Sequence, residues 1–402
     1  MRPASDSRLL HAISVYSGAV LLGLTLVSFP ASSAFLRANS GISDVAYGSI
    51  YLSQLVTGIV GALLGGVAVQ RIGLRAMYLV TLAFFALSQI LLATSSGASA
   101  GMALILLMCA TACFGFGFGF GGGPLNAFLP LLFPRRANVA IVALHMSAGA
   151  GLTIGPFLIA MLAAHDRWLV APVGLCMVAT LLFLFTSCLR LPEVPAGGPA
   201  ASMWPAAGRT PFFWGTAAMA LLYSIAEAMF SNWCVLYLVE EKQVSAQVAA
   251  LALTCFWGSL TLGRLLVSVG VLWIRPAFLL FVLPMLIVVA FIGVSGVHSA
   301  TTALLGFAFA GFACSGFFPL LVGVAVAPFP RDVSWIASML TAAMTVGVGI
   351  GSYVIGALHH ALSITALYRY SVIYPAALLA VLVVLRIRPQ VVPAVNAMGG
   401  SK

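Results

Sequence analysis

Charge is what this sequence lacks. Of its 402 residues only 6% are Asp, Glu, Lys or Arg, and eight acids face 18 basic residues. A soluble domain needs several times more charge to cover its surface, so a soluble fold is excluded. No ten-residue segments of alternating hydrophobicity occur, which argues against a membrane barrel. Cysteine is present seven times, but no pair has CxxC spacing and all seven fall within apolar runs, where thiols act as small packing residues. Neither disulfides nor a bound metal is expected. No H-E-x-x-H, nucleotide-binding loop or Ser/His/Asp set on one face is present, so ATP-driven transport is not expected and no cofactor is implied.

What is there is apolar length. The chain is 62% hydrophobic with a mean hydropathy of +1.14. Runs of about 20 residues, enough to cross a bilayer as helix, recur near 11–32, 45–69, 76–95, 102–131, 138–163, 168–189, 211–239, 247–270, 276–296, 300–326, 334–358 and 367–386. The expected fold is an all-α polytopic membrane protein of twelve transmembrane helices, embedded in a lipid bilayer. The first run is too long for a secretory signal and is read as an uncleaved helix. Of the 18 basic residues, only Arg37, Arg167, Lys242 and Arg369 fall on one side of this scheme; the other fourteen fall on the side of the N-terminus. Such asymmetry marks the cytoplasmic side, so both termini are expected there, in an inner membrane. The net charge of +10 is thus an orientation signal, and nucleic acid is not an expected partner.

The sixth and seventh runs are separated by a segment rich in helix breakers, with Pro192, Pro195, Gly197, Gly198, Pro199, Pro205 and Gly208. We therefore expect two six-helix bundles, 1–190 and 211–402, joined by a cytoplasmic linker at 191–210. An internal echo supports the division. Gly115 to Gly123, then Pro124 and Phe133-Pro134-Arg135, is answered by Gly306 to Gly316, then Pro319 and Phe329-Pro330-Arg331. The glycine run of span four lies mid-membrane without a following Lys-Ser/Thr, so it is no phosphate cradle. It reads as close helix packing, with a bendable helix as the further expectation, because glycine weakens helix by ~1 kcal/mol per residue.

Between spans two and three stands Gly66-Val-Ala-Val-Gln70-Arg71-Ile-Gly73-Leu74-Arg75. This resembles the loop signature of the major facilitator superfamily, with Gly66, Arg71, Gly73 and Arg75 matching. Gln70 stands where the family carries an acid and Leu74 where it carries a base. Gly151-Leu-Thr-Ile-Gly155-Pro156 on span five is similar to another element of that family, and it also reads as a small-residue packing face with a proline kink. The resemblance implies alternating access between two halves, a central cavity lined by helices one, four, seven and ten, and gating roles for Arg71, Gly73, Arg75 and Arg264. Glu227, Asn232, Trp233 and Tyr237 on span seven, with Phe256, Trp257, Gly263 and Arg264 on span eight, are loosely similar to the fucose-permease branch. That branch carries its working acids on helices one and four, where this chain has none.

Glu227 is the only ionisable residue between Pro211 and Val239. A carboxyl at that depth costs ~2.5–3.5 kcal/mol to insert and by default marks a functional site. Proton coupling is its expected role, with a neutral structural acid as the alternative. Tyr223, Ser224, Glu227, Phe230 and Ser231 share a face at three- and four-residue spacing, flanked by Asn232 and Trp233. Acid, hydroxyls, amide and rings suit a small polar solute, held by hydrogen bonds and stacking. An anionic solute would need a basic residue at mid-membrane, and the spans place none there. Trp257, Gln54, Asn126, and Thr25 and Ser28 from the hydroxyl stripe of span one are further candidates for the cavity wall; each has a packing alternative. His145 is a proton-relay candidate whose alternative is a packing histidine. Asp44 is read as a solvated residue at a helix start, and His359 with His360 as outer caps. Arg264 is expected at the cytoplasmic end, snorkelling to water. The leading expectation is a monomeric, proton-coupled secondary transporter of a small polar solute. The alternatives are an exporter of lipophilic compounds and a membrane enzyme or receptor on the same scaffold.

Overall fold

Within a bilayer a backbone has no water to bond, so apolar runs of this length close their hydrogen bonds internally as helices. A computed structural model of the chain describes residues 4–192, 206–329 and 332–385. Most of the 191–210 linker lies outside the described residues, as do Arg2, Pro330, Arg331, Arg386, Arg388, Lys402 and the side chain of Gln70.

Among the described residues twelve helices are long and apolar enough to cross a membrane: α1 (Arg8–Ala31), α2 (Asp44–Gly65), α3 (Arg71–Ser95), α4 (Ala100–Leu132), α5 (Val139–Ala163), α6 (Val170–Ser187), α7 (Pro211–Asn232), α8 (Ala246–Gly270), α9 (Pro276–Ser295), α10 (Ala300–Val326), α11 (Trp335–His359) and α12 (Ile364–Val384). Their positions agree with the expected spans to within a few residues. Starts follow local chemistry. The hydroxyls of Ser43, Ser245 and Ser363 accept the orphan N–H groups of α2, α8 and α12, and Ser299 forms a reciprocal capping box with Thr302 on α10. Prolines open α7 and α9, where a missing N–H costs nothing.

Helices α2 and α3 join with almost no loop. Gly73 makes the corner at φ 75° and ψ 166°, a conformation open essentially to glycine alone. Arg75 then donates to the Ser187 carbonyl at 2.5 Å, placing a cation on the C-terminal end of α6.

In the first half α1 packs on α5 and α6, and α2 and α3 pack on α4. In the second, α7 packs on α11 and α12, while α10 lies between α8 and α9. The glycine run of α4 does not interrupt the helix, which continues from Ala100 to Leu132. Its glycines admit backbone instead: a methyl on Gly119 would stand 2.0 Å from the Gly58 carbonyl, and one on Gly115 2.2 Å from that of Gln54. Its counterpart α10 does break, at Ser315 and Gly316.

The halves touch along two seams, α2 on α11 and α5 on α8. Both rest on small residues. A Cβ at Gly356 would lie 2.6 Å from the Asp44 carbonyl, and one at Gly149 2.5 Å from the Thr261 side chain.

Candidate functional site

The site is built on α7. From Tyr223 to Leu238 every residue is buried, across the end of α7 and the turns that follow it, so this strut is enclosed on all sides. The shared face read from spacing splits between neighbours. Tyr223 stacks on Phe317 at 5.3 Å and donates to the Cys314 carbonyl at 2.8 Å, the oxygen left free where α10 breaks. Phe230 enters an aromatic core with Phe291, Phe256, Phe307 and Tyr368. Ser224 abuts Gly347 of α11 and bonds its own Leu221 carbonyl, and Ser231 bonds that of Glu227. These two hydroxyls are taken up within the helix.

Glu227 is 5% exposed, and its Oε2 has no hydrogen-bond partner. Tyr223 lies one turn below it. Arg264 of α8 acts electrostatically on Glu227, Tyr223 and Cys314. Its expected place was the membrane edge, snorkelling to water. Here it is half-buried, its Nε is buried without a partner, and it makes no ion pair among the described residues. His145 of α5, exposed, is within the same electrostatic reach from the other half. A cavity of about 230 Å³ opens beside Arg264, walled by Val267, Ser268, Val271, Gly316, Pro319 and Leu320.

A second cluster closes the end of the molecule that carries the α1–α2, α7–α8 and α11–α12 connections, here termed the Arg37 end. Arg37 pairs with Asp44 and, across the halves, with Glu240 at 3.4 Å. His359 lies 3.0 Å from Asp44 across the halves and 3.5 Å from Glu241. Glu241 in turn accepts the first N–H groups of α12, at Ile364 and Thr365. All four ion pairs among the described residues are here. Asp44 and His359 are thus inter-half contacts and not the solvated cap residues expected. Spacing missed them because their partners are remote in sequence. The available signal was that acids and a histidine gather on connections of one side.

Trp233 and Asn232 belong to this closure. Trp233 is fully buried, edge-on to Tyr47 at 5.5 Å and near His359. Asn232 donates to Ser352 of α11 at 2.9 Å, and its carbonyl accepts from Tyr47 at 3.0 Å. Ser28 is buried, donates to the Thr25 carbonyl and accepts from Gln89, contacts within the first half. Thr25 is buried, with Oγ1 unpartnered among the described residues. Trp257 is 6% exposed with a free indole N–H, and the adjacent Gly258 faces Thr153 of α5. Gln54 is half-buried and its carbonyl backs onto Gly115. Asn126 is exposed and bonds its own helix at Gly122, and Arg71 is exposed.

Comparisons with known proteins fit this geometry. The chain is similar in structure to a D-xylose-proton symporter, with a TM-score of 0.75 at 15% identity, covering 94% of this chain and 97% of that one. The nucleoside transporter NupG gives 0.74 at 15%, covering 93% and 99%. FucP, described as a Major Facilitator Superfamily transporter in the outward conformation, gives 0.64 at 16%, covering 96% and 100%. No curated protein matches in sequence. The model of the Major Facilitator Superfamily matches residues 13–306, well over half of the length. The chain, a multi-pass membrane protein with the transporter fold, belongs to the Major Facilitator Superfamily.

Proposed function

We propose that the protein is a proton-coupled secondary transporter that imports a small polar organic solute across the inner membrane. Its halves, 1–190 and 211–402, rock about the α2–α11 and α5–α8 seams, with both termini cytoplasmic and the Arg37 end facing outward. The observation that carries this reading is Glu227, an enclosed acid of α7 with one carboxyl oxygen unbonded. An acid so placed is costly unless it works. Ion pairs at the Arg37 end and none at the other, among the described residues, suit a conformer closed outward. A carrier at rest in this state would release or collect its proton from the inner side.

The test is transport by the purified protein in liposomes under an inward proton gradient. A pH dye inside the vesicles reports proton entry as candidate solutes are added outside. Glu227→Gln should lose gradient-driven accumulation and keep solute exchange at equal pH. Full accumulation by that variant would reduce Glu227 to a structural residue and end the proposal.

A further inference from the structure

We infer that the Arg37 end is a clasp strengthened by acid. Protonation of the His359 imidazole completes a chain of alternating charge across the halves and holds that end shut; loss of the proton loosens it. The inference concerns closure alone and is independent of Glu227.

Five side chains make up the chain, in the order Glu240, Arg37, Asp44, His359, Glu241. Arg37 and Asp44 belong to the first half and the other three to the second. Two of the four contacts cross the halves: Arg37 to Glu240 at 3.4 Å and His359 to Asp44 at 3.0 Å. The remaining two lie within one half each, so they survive when the halves part. With His359 charged, the signs along the chain alternate throughout. With it neutral, the second crossing contact has no charge pair, and Asp44 and Glu241 face one ring with like sign.

Donor count at the ring gives the proton its effect. Nδ1 lies 3.0 Å from an Asp44 oxygen and Nε2 3.5 Å from a Glu241 oxygen. A neutral imidazole has one N–H, so either tautomer turns a lone pair toward a carboxylate. The imidazolium presents a donor to both. Water gives no relief at Nδ1, which is sealed from solvent with only Asp44 opposite it. Glu241 is held in place as well: its carboxylate accepts from the Ile364 N–H, and from the Thr365 N–H and hydroxyl at 2.7 Å each.

The charged and titratable groups around this end come from every element that meets there. They are Arg37, Asp44 and Tyr47 of the first half, Glu240, Glu241 and Lys242 after α7, His360 beyond α11, and Arg369 on α12. Tyr47 donates to the Asn232 carbonyl and Lys242 to the Ser295 carbonyl. Only histidine ordinarily changes charge between pH 5 and 8. Of the two histidines, His360 is exposed and in no ion pair among the described residues, whereas His359 has a carboxylate at each ring nitrogen. Acid therefore adds the second crossing contact, and that contact is lost as pH rises through the histidine range. With the Arg37 end facing outward, as proposed above, the external medium sets the charge on the ring.

Hydrogen-exchange mass spectrometry of the purified full chain, run from about pH 8 to about pH 5, tests this. Labelling times are scaled to the intrinsic exchange rate at each pH. Protection of peptides covering 33–44 and 237–242 should rise about twofold to fivefold toward acid. Protection of 15–24, in the α1–α5 contact of one half, should not. His359→Gln should abolish the rise and stay at the low level, and His359→Arg, charged at every pH, should stay at the high one. Asp44→Asn leaves the histidine in place and should also abolish the rise. Each variant must elute as a single species in size-exclusion chromatography; Asp44→Asn keeps the comparison valid if neither His359 variant does. An equal rise in 15–24, no rise in the natural protein, or a rise retained in His359→Gln or Asp44→Asn would each overturn the inference. A rise lost in Glu227→Gln and kept in His359→Gln would do the same, by moving the sensor to Glu227. These measurements read closure and not flux, so their failure leaves the transporter reading intact.

Discussion

A methyl group at Gly356 should act as a wedge that drives the outer end open. Gly356 faces the first turn of α2, and its added Cβ would stand 2.6 Å from the Asp44 carbonyl and 3.3 Å from Gly48 Cα. Both are backbone, so no rotamer change relieves the clash. Overpacking of this kind costs about 1–3 kcal/mol. The penalty applies only while α2 and α11 are pressed together, so separating them removes it. If the whole cost is borne by the closed conformer, the open-to-closed ratio rises about 5- to 150-fold. Hydrogen-exchange mass spectrometry reads this directly on peptides covering 33–44 and 237–242, which carry Arg37, Asp44, Glu240 and Glu241. Gly151→Ala is the control. It creates a 2.2 Å clash with the Val20 carbonyl, but between α5 and α1 of one half, where no rocking motion relieves it. Gly356→Ala should speed exchange at both outer segments with little loss of melting temperature. Gly151→Ala should lower melting temperature and leave those segments protected. The same response in both variants would refute the idea that the α2–α11 seam opens as a unit.

Other expectations follow from single contacts. His359→Gln removes a half-buried pair with Asp44 across the halves, and it should loosen the same outer segments by about 0.5–1 kcal/mol, read by the same exchange measurement. Gly73→Ala places a methyl at φ 75° and ψ 166° and should cost about 1–3 kcal/mol, seen as a lower melting temperature of the purified protein. Tyr223→Phe strips the donor from the Cys314 carbonyl and should cost about 1–3 kcal/mol, whereas an unchanged melting temperature would mean another donor moves in.

The twelve spans were legible in the sequence because bilayer thickness imposes a length, and length survives without tertiary information. Glu227 was legible for a related reason: one charge in an apolar run stands out wherever its side chain points. Partners were not legible. Asp44, Glu240 and His359 meet only because α2, the end of α7 and α11 converge, and no local spacing encodes that meeting. Arg264 illustrates the same limit. Its electrostatic neighbours Glu227 and His145 lie on two other helices, which spacing along α8 does not reveal. The α4 glycines were legible as close packing, but not the backbone they meet, because absence of a side chain does not name the neighbour.

The Tyr47 hydroxyl bridges the halves by donating to the Asn232 carbonyl, and it also lies 2.8 Å from the hydroxyl of Tyr51 one turn along its own helix. Any rocking that parts the halves must break the first of these bonds in a dry place. The second travels with it. Tyr47 therefore keeps a companion through the stroke, and the polar cost of undoing this latch falls on the Asn232 carbonyl alone. Tyr51→Phe removes one of the two first-half hydroxyls beside the phenol and leaves Ser33, so this variant should slow the opening step more than it disturbs the resting state.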